Sequence, residues 1–127
     1  FSVPPAAVAA EAGPEEVAAW RAVVEACVPA LVEAWAPIMG VKAGKIAYRN
    51  MTSRWGSCRK QTQRLTFNTR LGCADESMIE YVVVHELCHL IYADHSARFW
   101  ALVASCLPDC KQRQIALNRM EMTPKVP

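Results

Sequence analysis

The sequence predicts an α+β fold: a small antiparallel or mixed sheet packed on a deeply buried helix, with flanking helices. Three observations predict it. Apolar residues recur at three- and four-residue steps in two separate segments, from Val17 to Leu31 and from Ile79 to Ile91. Between these segments lie two short stretches of strand character, residues 45–51 (KIAYRNM) and 64–71 (RLTFNTRL). After them come two shorter helical patterns separated by Pro108. The chain has 127 residues, 53% of them hydrophobic and 20% charged, which suits one folded domain with a real core.

Residues 1–13 are rich in alanine and proline and are expected to form a loose lead-in, leaving 14–127 as a single domain. Pro14 suits a first helical turn, and Glu15 and Glu16 suit the positive end of the helix dipole. The stripe Val17, Trp20, Val24, Cys27, Val28 and Leu31 then builds one helical face. Pro29 should kink or split this helix, and Pro37 with Gly40 should end it. In 64–71, Leu65, Phe67 and Leu71 alternate with Thr66, Asn68 and Arg70. Residues 45–51 and 64–71 are therefore expected to form an antiparallel pair, linked through Gly56 and residues 59–63.

Asp75 is a plausible N-cap for a helix running to about Tyr92. Its apolar residues Ile79, Val82, Val83, Leu87, Leu90 and Ile91 form a stripe wide enough to demand deep burial. Asp94 or Ser96 caps a further helix on which Phe99, Leu102, Val103 and Cys106 share a face, and Pro108 ends it. The tail from Lys111, with Ile115, Leu117 and Met120, carries one more short helix.

A net charge of +2 and a pI of about 8.3 fall short of a dedicated nucleic-acid binder. Arg54, Arg59, Lys60, Arg64 and Arg70 do gather between the strands. The plain reading of this group is a solvated loop, and the sharper one is an anion site. No run is expected to span a membrane. The six cysteines mostly sit in apolar or periodic segments, where a thiol behaves as a small hydrophobe. Cys106 and Cys110 have the spacing of half a metal clip, but no second pair completes it. Reduced thiols and a cytoplasmic setting are expected, although the first residue is Phe1 rather than Met.

The chemistry concentrates in His85-Glu86-Leu87-Cys88-His89. His85 and His89 are one helical turn apart and project from one face, with Glu86 directly after the first. In this H-E-x-x-H arrangement two neutral imidazoles bind zinc and the glutamate acts as base. A catalytic zinc takes three protein ligands and keeps one position open. His95 is the third candidate, since the chain has only three histidines. On a straight helix His95 would lie about 9 Å beyond His89, so the helix must end near Tyr92 or Ala93 and fold back. A histidine on an apolar helix is often only a core residue. An acid beside the first ligand has no use in a structural site, and it favours catalysis. The oxyanion of a tetrahedral intermediate needs a donor besides zinc, and Tyr92, Arg70, Arg54 and Asn68 are all candidates.

The segments Arg54-Trp55-Gly56-Ser57-Cys58, Leu65 to Asn68 with Leu71, and Tyr81 through Leu90 resemble the YgjP-like metallopeptidase family, a relative of the SprT-like and WLM zinc peptidases. The match continues through His95-Ser96 and Phe99-Trp100 to Pro108 and covers roughly residues 45–120. The resemblance implies a zincin-like domain with one zinc ion on His85, His89 and His95, and Glu86 as the catalytic base. It also implies that a strand like 64–71 flanks the cleft and offers its edge to an extended protein or peptide substrate. Trp55 and Cys58 are expected to be buried structural residues rather than to line the site. Tyr92 stands where the metzincin motif has glycine, so the chain is not assigned to that class.

Two other functions compete with zinc-dependent peptide hydrolysis. One is a zinc-stabilised binding module whose basic region contacts nucleic acid or an acidic protein. The other is a zinc amidohydrolase acting on a non-peptide substrate.

Overall fold

The computed structural model describes residues 13–51 and 54–120. The expected lead-in therefore lies outside the described residues except for Gly13, which is the N-cap of the first helix. That helix, α1, spans Pro14–Met39. Three strands follow, β1 (Ile46–Arg49), β2 (Gly56–Arg59) and β3 (Arg64–Asn68), and then a 3-10 turn over Thr69–Cys73. Three more helices complete the chain: α2 (Glu76–Cys88), α3 (Ala97–Cys106) and α4 (Cys110–Arg119).

α1 runs unbroken through Pro29, contrary to the expected kink or split, and ends at Gly40 in the left-handed conformation (φ 69°). Trp20, Val24, Val28, Val32 and Ala36 bury along one line on both sides of the proline. Glu25, whose carbonyl Pro29 cannot serve, lies on the exposed side. Contrary to the sequence expectation, α1 is long and apolar enough to cross a membrane by length and composition, with 22% of the apolar window buried. Its buried line packs on the 3-10 turn and on α2. Gly72 makes this approach possible, because a Cβ there would lie 2.2 Å from the Trp20 carbonyl oxygen.

The sheet corrects two strand expectations. β1 and β3 pair in parallel, Ile46 opposite Leu65, rather than antiparallel. The stretch read as a link contains β2, which forms the antiparallel partner of β3 with Gly56 opposite Phe67. The turn at Lys60–Gln63 closes this hairpin, with Gln63 left-handed at φ 58°. β1 and β3 point the same way, β2 runs against them, and the order is β1-β3-β2. β3 is thus the central strand and has no edge to offer a substrate. The edge on that side belongs to β2.

α2 crosses beneath the sheet, and ten of its thirteen residues are buried. Trp55, Leu65, Phe67, Leu71, Tyr81, Val82, Val83, Leu87 and Phe99 are all fully buried in one cluster around it. Glu80 ties its neighbours together: one oxygen accepts from Trp35 Nε1 of α1 (2.8 Å), the other from Arg113 Nη1 of α4 (2.7 Å). All six cysteines are free thiols.

Candidate metal centre

α2 ends at Cys88, four residues before the expected limit near Tyr92. The last turn tightens, with the His89 and Leu90 amides donating to carbonyls three residues back. The chain then bends so that His89 Nδ1 lies 3.0 Å from the Tyr92 carbonyl oxygen. A carbonyl only accepts, so this ring carries its proton on Nδ1 and presents a lone pair at Nε2. The next residues reverse the chain toward α3. Ser96 caps α3, its Oγ accepting from the Phe99 amide, while Asp94 Oδ1 accepts from the Ser96 amide.

This reversal brings His95 back to the α2 histidines. His95 Nε2 lies 3.2 Å from His89 Nε2 and 3.3 Å from His85 Nε2, and one ligand atom from each of the three falls within 4.8 Å of the others. Two nitrogens on a tetrahedral zinc, each about 2.0–2.1 Å from it, are separated by roughly 3.3 Å. The His95 nitrogen thus stands from each of the other two at the separation of ligands around one ion. The donor set therefore fits a metal ion.

Side chains of α3 brace the triad. The fully buried Phe99 stacks on His89 (centroids 4.4 Å, 23°) and meets His85 and His95 edge-on at 4.9 and 5.0 Å. The Trp100 ring lies 5.8 Å from His95, tilted by 26°. Sequence reasoning placed Phe99 on a packing face and missed its contact with all three rings. The aromatic pair three and four residues after the Ser96 cap is the available signal.

Burial sets the charge states. It pushes His85 down to about 3, helped by neighbouring His89 and His95, so the ring stays neutral and free to ligate. Burial also lowers His89, against the Tyr92 carbonyl, which raises it. Glu86 is pushed up to about 8 by burial, with Arg54 pulling the other way. A divalent ion beside it would favour the carboxylate.

Glu86 forms the floor of a cleft of about 810 Å³ that exposes all three histidines. The opposite wall is β2 and its turn: Gly56, Ser57, Cys58, Lys60 and Gln61, with Arg54 at the entrance to the strand. Cys58 is half-buried on this wall rather than in the core, whereas Trp55 is fully buried as expected. Burial and the charge of Glu86 push the Cys58 thiol up to about 11, which keeps it protonated and non-nucleophilic at neutral pH.

The four candidate oxyanion donors separate clearly. Arg54 lines the cleft; Arg70, Asn68 and Tyr92 do not. The amide of Asn68 is fully buried and committed to backbone, bonding Met51 N and O, Arg54 O and Arg70 N. It ties the Met51 and Arg54 backbone to β3. The Nε of Arg70 donates to Asn50 Oδ1, and the Tyr92 ring lies under the Arg98 guanidinium.

The end of a buried helix thus carries a three-histidine cluster that could hold a metal ion, with a buried acid directly after its first histidine. The chain belongs to the YgjP-like metallopeptidase domain family, whose model matches residues 5–120. The fold is similar to two solved metallopeptidase zymogens. Abylysin of Pyrococcus abyssi superposes with a TM-score of 0.68 at 22% identity, over 78% of this chain and 99% of that one. Jannalysin of Methanocaldococcus jannaschii gives 0.62 at 18% identity, over 71% of this chain and 92% of that one. No curated protein matches the sequence.

Proposed function

We propose that the chain is a zinc peptidase in which His85, His89 and His95 hold one zinc ion and Glu86 is the general base. The observation that carries this reading is the 3.2–3.3 Å spacing of His95 Nε2 from the other two histidine nitrogens, in a cleft that the buried Glu86 also lines. Zinc in such a site supplies Lewis-acid polarisation of a carbonyl and acidification of water. Glu86 would take the proton of the attacking water on its carboxylate and return it to the departing amine. Its burial supports this role, because a carboxyl lifted toward neutrality both accepts and releases a proton at working pH. The peptide would lie extended along β2, whose outer backbone groups are free of strand partners. Arg54 is the best placed of the four candidate donors for the developing oxyanion. The six free thiols support a reducing, cytoplasmic setting.

The test compares wild type with Glu86→Gln, each loaded with one equivalent of zinc, on an unfolded protein and a mixed peptide library. Wild type alone should cleave, while both retain metal. Equal activity of the variant would sink the assignment of the base.

A further inference from the structure

Charge along this chain is partitioned. Eight of the fourteen Lys and Arg residues lie between Lys42 and Arg70, and no Asp or Glu occurs between Glu33 and Asp75. The remaining six cations are set against all twelve acids. The net charge of +2 thus hides a strongly basic sheet region facing an acidic remainder. Yet the salt bridges Arg21–Glu25, Arg113–Glu80 and Arg113–Asp109 lie outside that region.

The sheet sets these charges at both ends of β2. Arg59 of β2 stands directly opposite Arg64 of β3, a cross-strand pair of like charges that weakens a hairpin. Lys60 follows in the turn and lines the cleft, its Nζ donating to the Ile91 carbonyl beyond the end of α2. Arg54 lines the cleft at the other end of β2. Glu86 is the one acid among the lining residues, and it is buried at the floor. An extended chain lying against β2 would therefore pass cations at both ends of the strand.

We propose that the cleft selects acidic peptide segments, with Arg54 and Lys60 receiving substrate carboxylates and Arg59 and Arg64 extending the attraction past the turn. This deepens the peptidase reading and rests on it for the claim that the bound segment is cut. A peptide fits better than a nucleic acid for two reasons. The unpaired edge of β2 matches the hydrogen-bonding repeat of an extended polypeptide. Single-stranded nucleic acids are held on exposed aromatic platforms, whereas here Trp55 and Phe67 are fully buried and Tyr48 is partly covered.

The experiment measures binding to zinc-loaded Glu86→Gln of three peptides of equal length, capped at both ends, with glutamate, glutamine or lysine at alternate positions. A single-stranded DNA of similar charge is the fourth probe. Exposed ion pairs are each worth roughly two- to five-fold, so the acidic peptide should bind at least about tenfold more tightly than the lysine peptide at low salt. The preference should shrink as salt screens the charges, a readout that needs no further variant. Arg54→Glu combined with Lys60→Glu, verified as folded by circular dichroism, should abolish or reverse it. Equal binding of the three peptides, or tighter binding of the DNA, overturns the proposal. Cleavage by wild type, followed in parallel, separates the two ideas. Cleavage without charge preference sinks the selectivity alone, and acidic preference without cleavage sinks the peptidase reading alone.

Discussion

Gly56 lies directly against Glu86: a Cβ built on the glycine would sit 3.0 Å from Glu86 Oε2 and 3.1 Å from its Cγ. The same Cβ would meet Val82 Cγ1 at 3.2 Å. The edge strand of the cleft therefore packs so closely on the proposed base that even a methyl group would press on it. The Trp-Gly-Ser-Cys stretch, which has no evident chemistry as sequence, is the wall that sets where the carboxylate points.

Gly56→Ala should move the Glu86 carboxylate by a few tenths of an ångström while leaving His85, His89 and His95 in place. Misplacement of a catalytic group on the scale of 1 Å costs about a hundredfold, so a shift of a few tenths should cost up to about tenfold in kcat. The variant should keep one equivalent of zinc and a near-normal KM. Steady-state kinetics with metal analysis checks this, and an alanine variant with wild-type kcat would show that the close approach has no catalytic consequence.

Phe99 touches all three histidine rings, so it should govern metal affinity without ligating. Residues that orient ligands typically contribute ten- to a hundredfold to affinity. Phe99→Leu keeps an apolar filler but loses the stacked face at His89, and zinc affinity should fall by about tenfold. Competition with a chromogenic chelator measures it, with Val103→Ala on the same buried face as a packing control. If both variants weaken zinc equally, the aromatic contact has no particular role.

The parts of this molecule that were legible in the sequence depend on local periodicity. The spacing of His85 and His89, the Asp75 and Ser96 N-caps and the stripe of α1 follow from contacts within a turn or two. The necessity of a chain reversal before His95 also followed, from helix rise alone. What failed depends on pairing across distance. Gly56 to Arg59 has neither alternation nor strong strand formers, so β2 was invisible until its partner β3 was in place. Without β2, the sequence pattern pairs β1 and β3 in the wrong sense and gives a free edge to β3, which is the central strand. Asn68 occupies a polar slot in an alternating strand, yet its bonds reach 14 and 17 residues back to Arg54 and Met51. The end of α2 moved because a side-chain bond, His89 to the Tyr92 carbonyl, overrode a helical pattern that continued to Ile91.

Without metal, Glu86 and His85 make folding respond to pH in opposite directions. Glu86 rises from an ordinary 4.5 to about 8, so between those values the folded chain holds a proton that the unfolded chain releases. Its contribution to stability is complete below pH 4.5 and is lost as pH climbs toward 8. His85 falls from 6.5 to about 3, so between those values the unfolded chain holds a proton that the folded chain refuses. Its contribution is complete above pH 6.5 and is lost as pH drops toward 3. The two slopes cancel between the ordinary values of 4.5 and 6.5, and the metal-free protein should be most stable there. Thermal melts in chelator should show Tm falling on both sides of that window. Glu86→Gln should flatten the alkaline side, because its amide does not titrate. Zinc should invert the alkaline trend, since ligation needs neutral imidazoles and a dication stabilises the Glu86 carboxylate. A metal-free Tm that kept rising from pH 6.5 to 8 would mean that Glu86 folds as a carboxylate, and that the acid–base pairing of floor and triad is wrong.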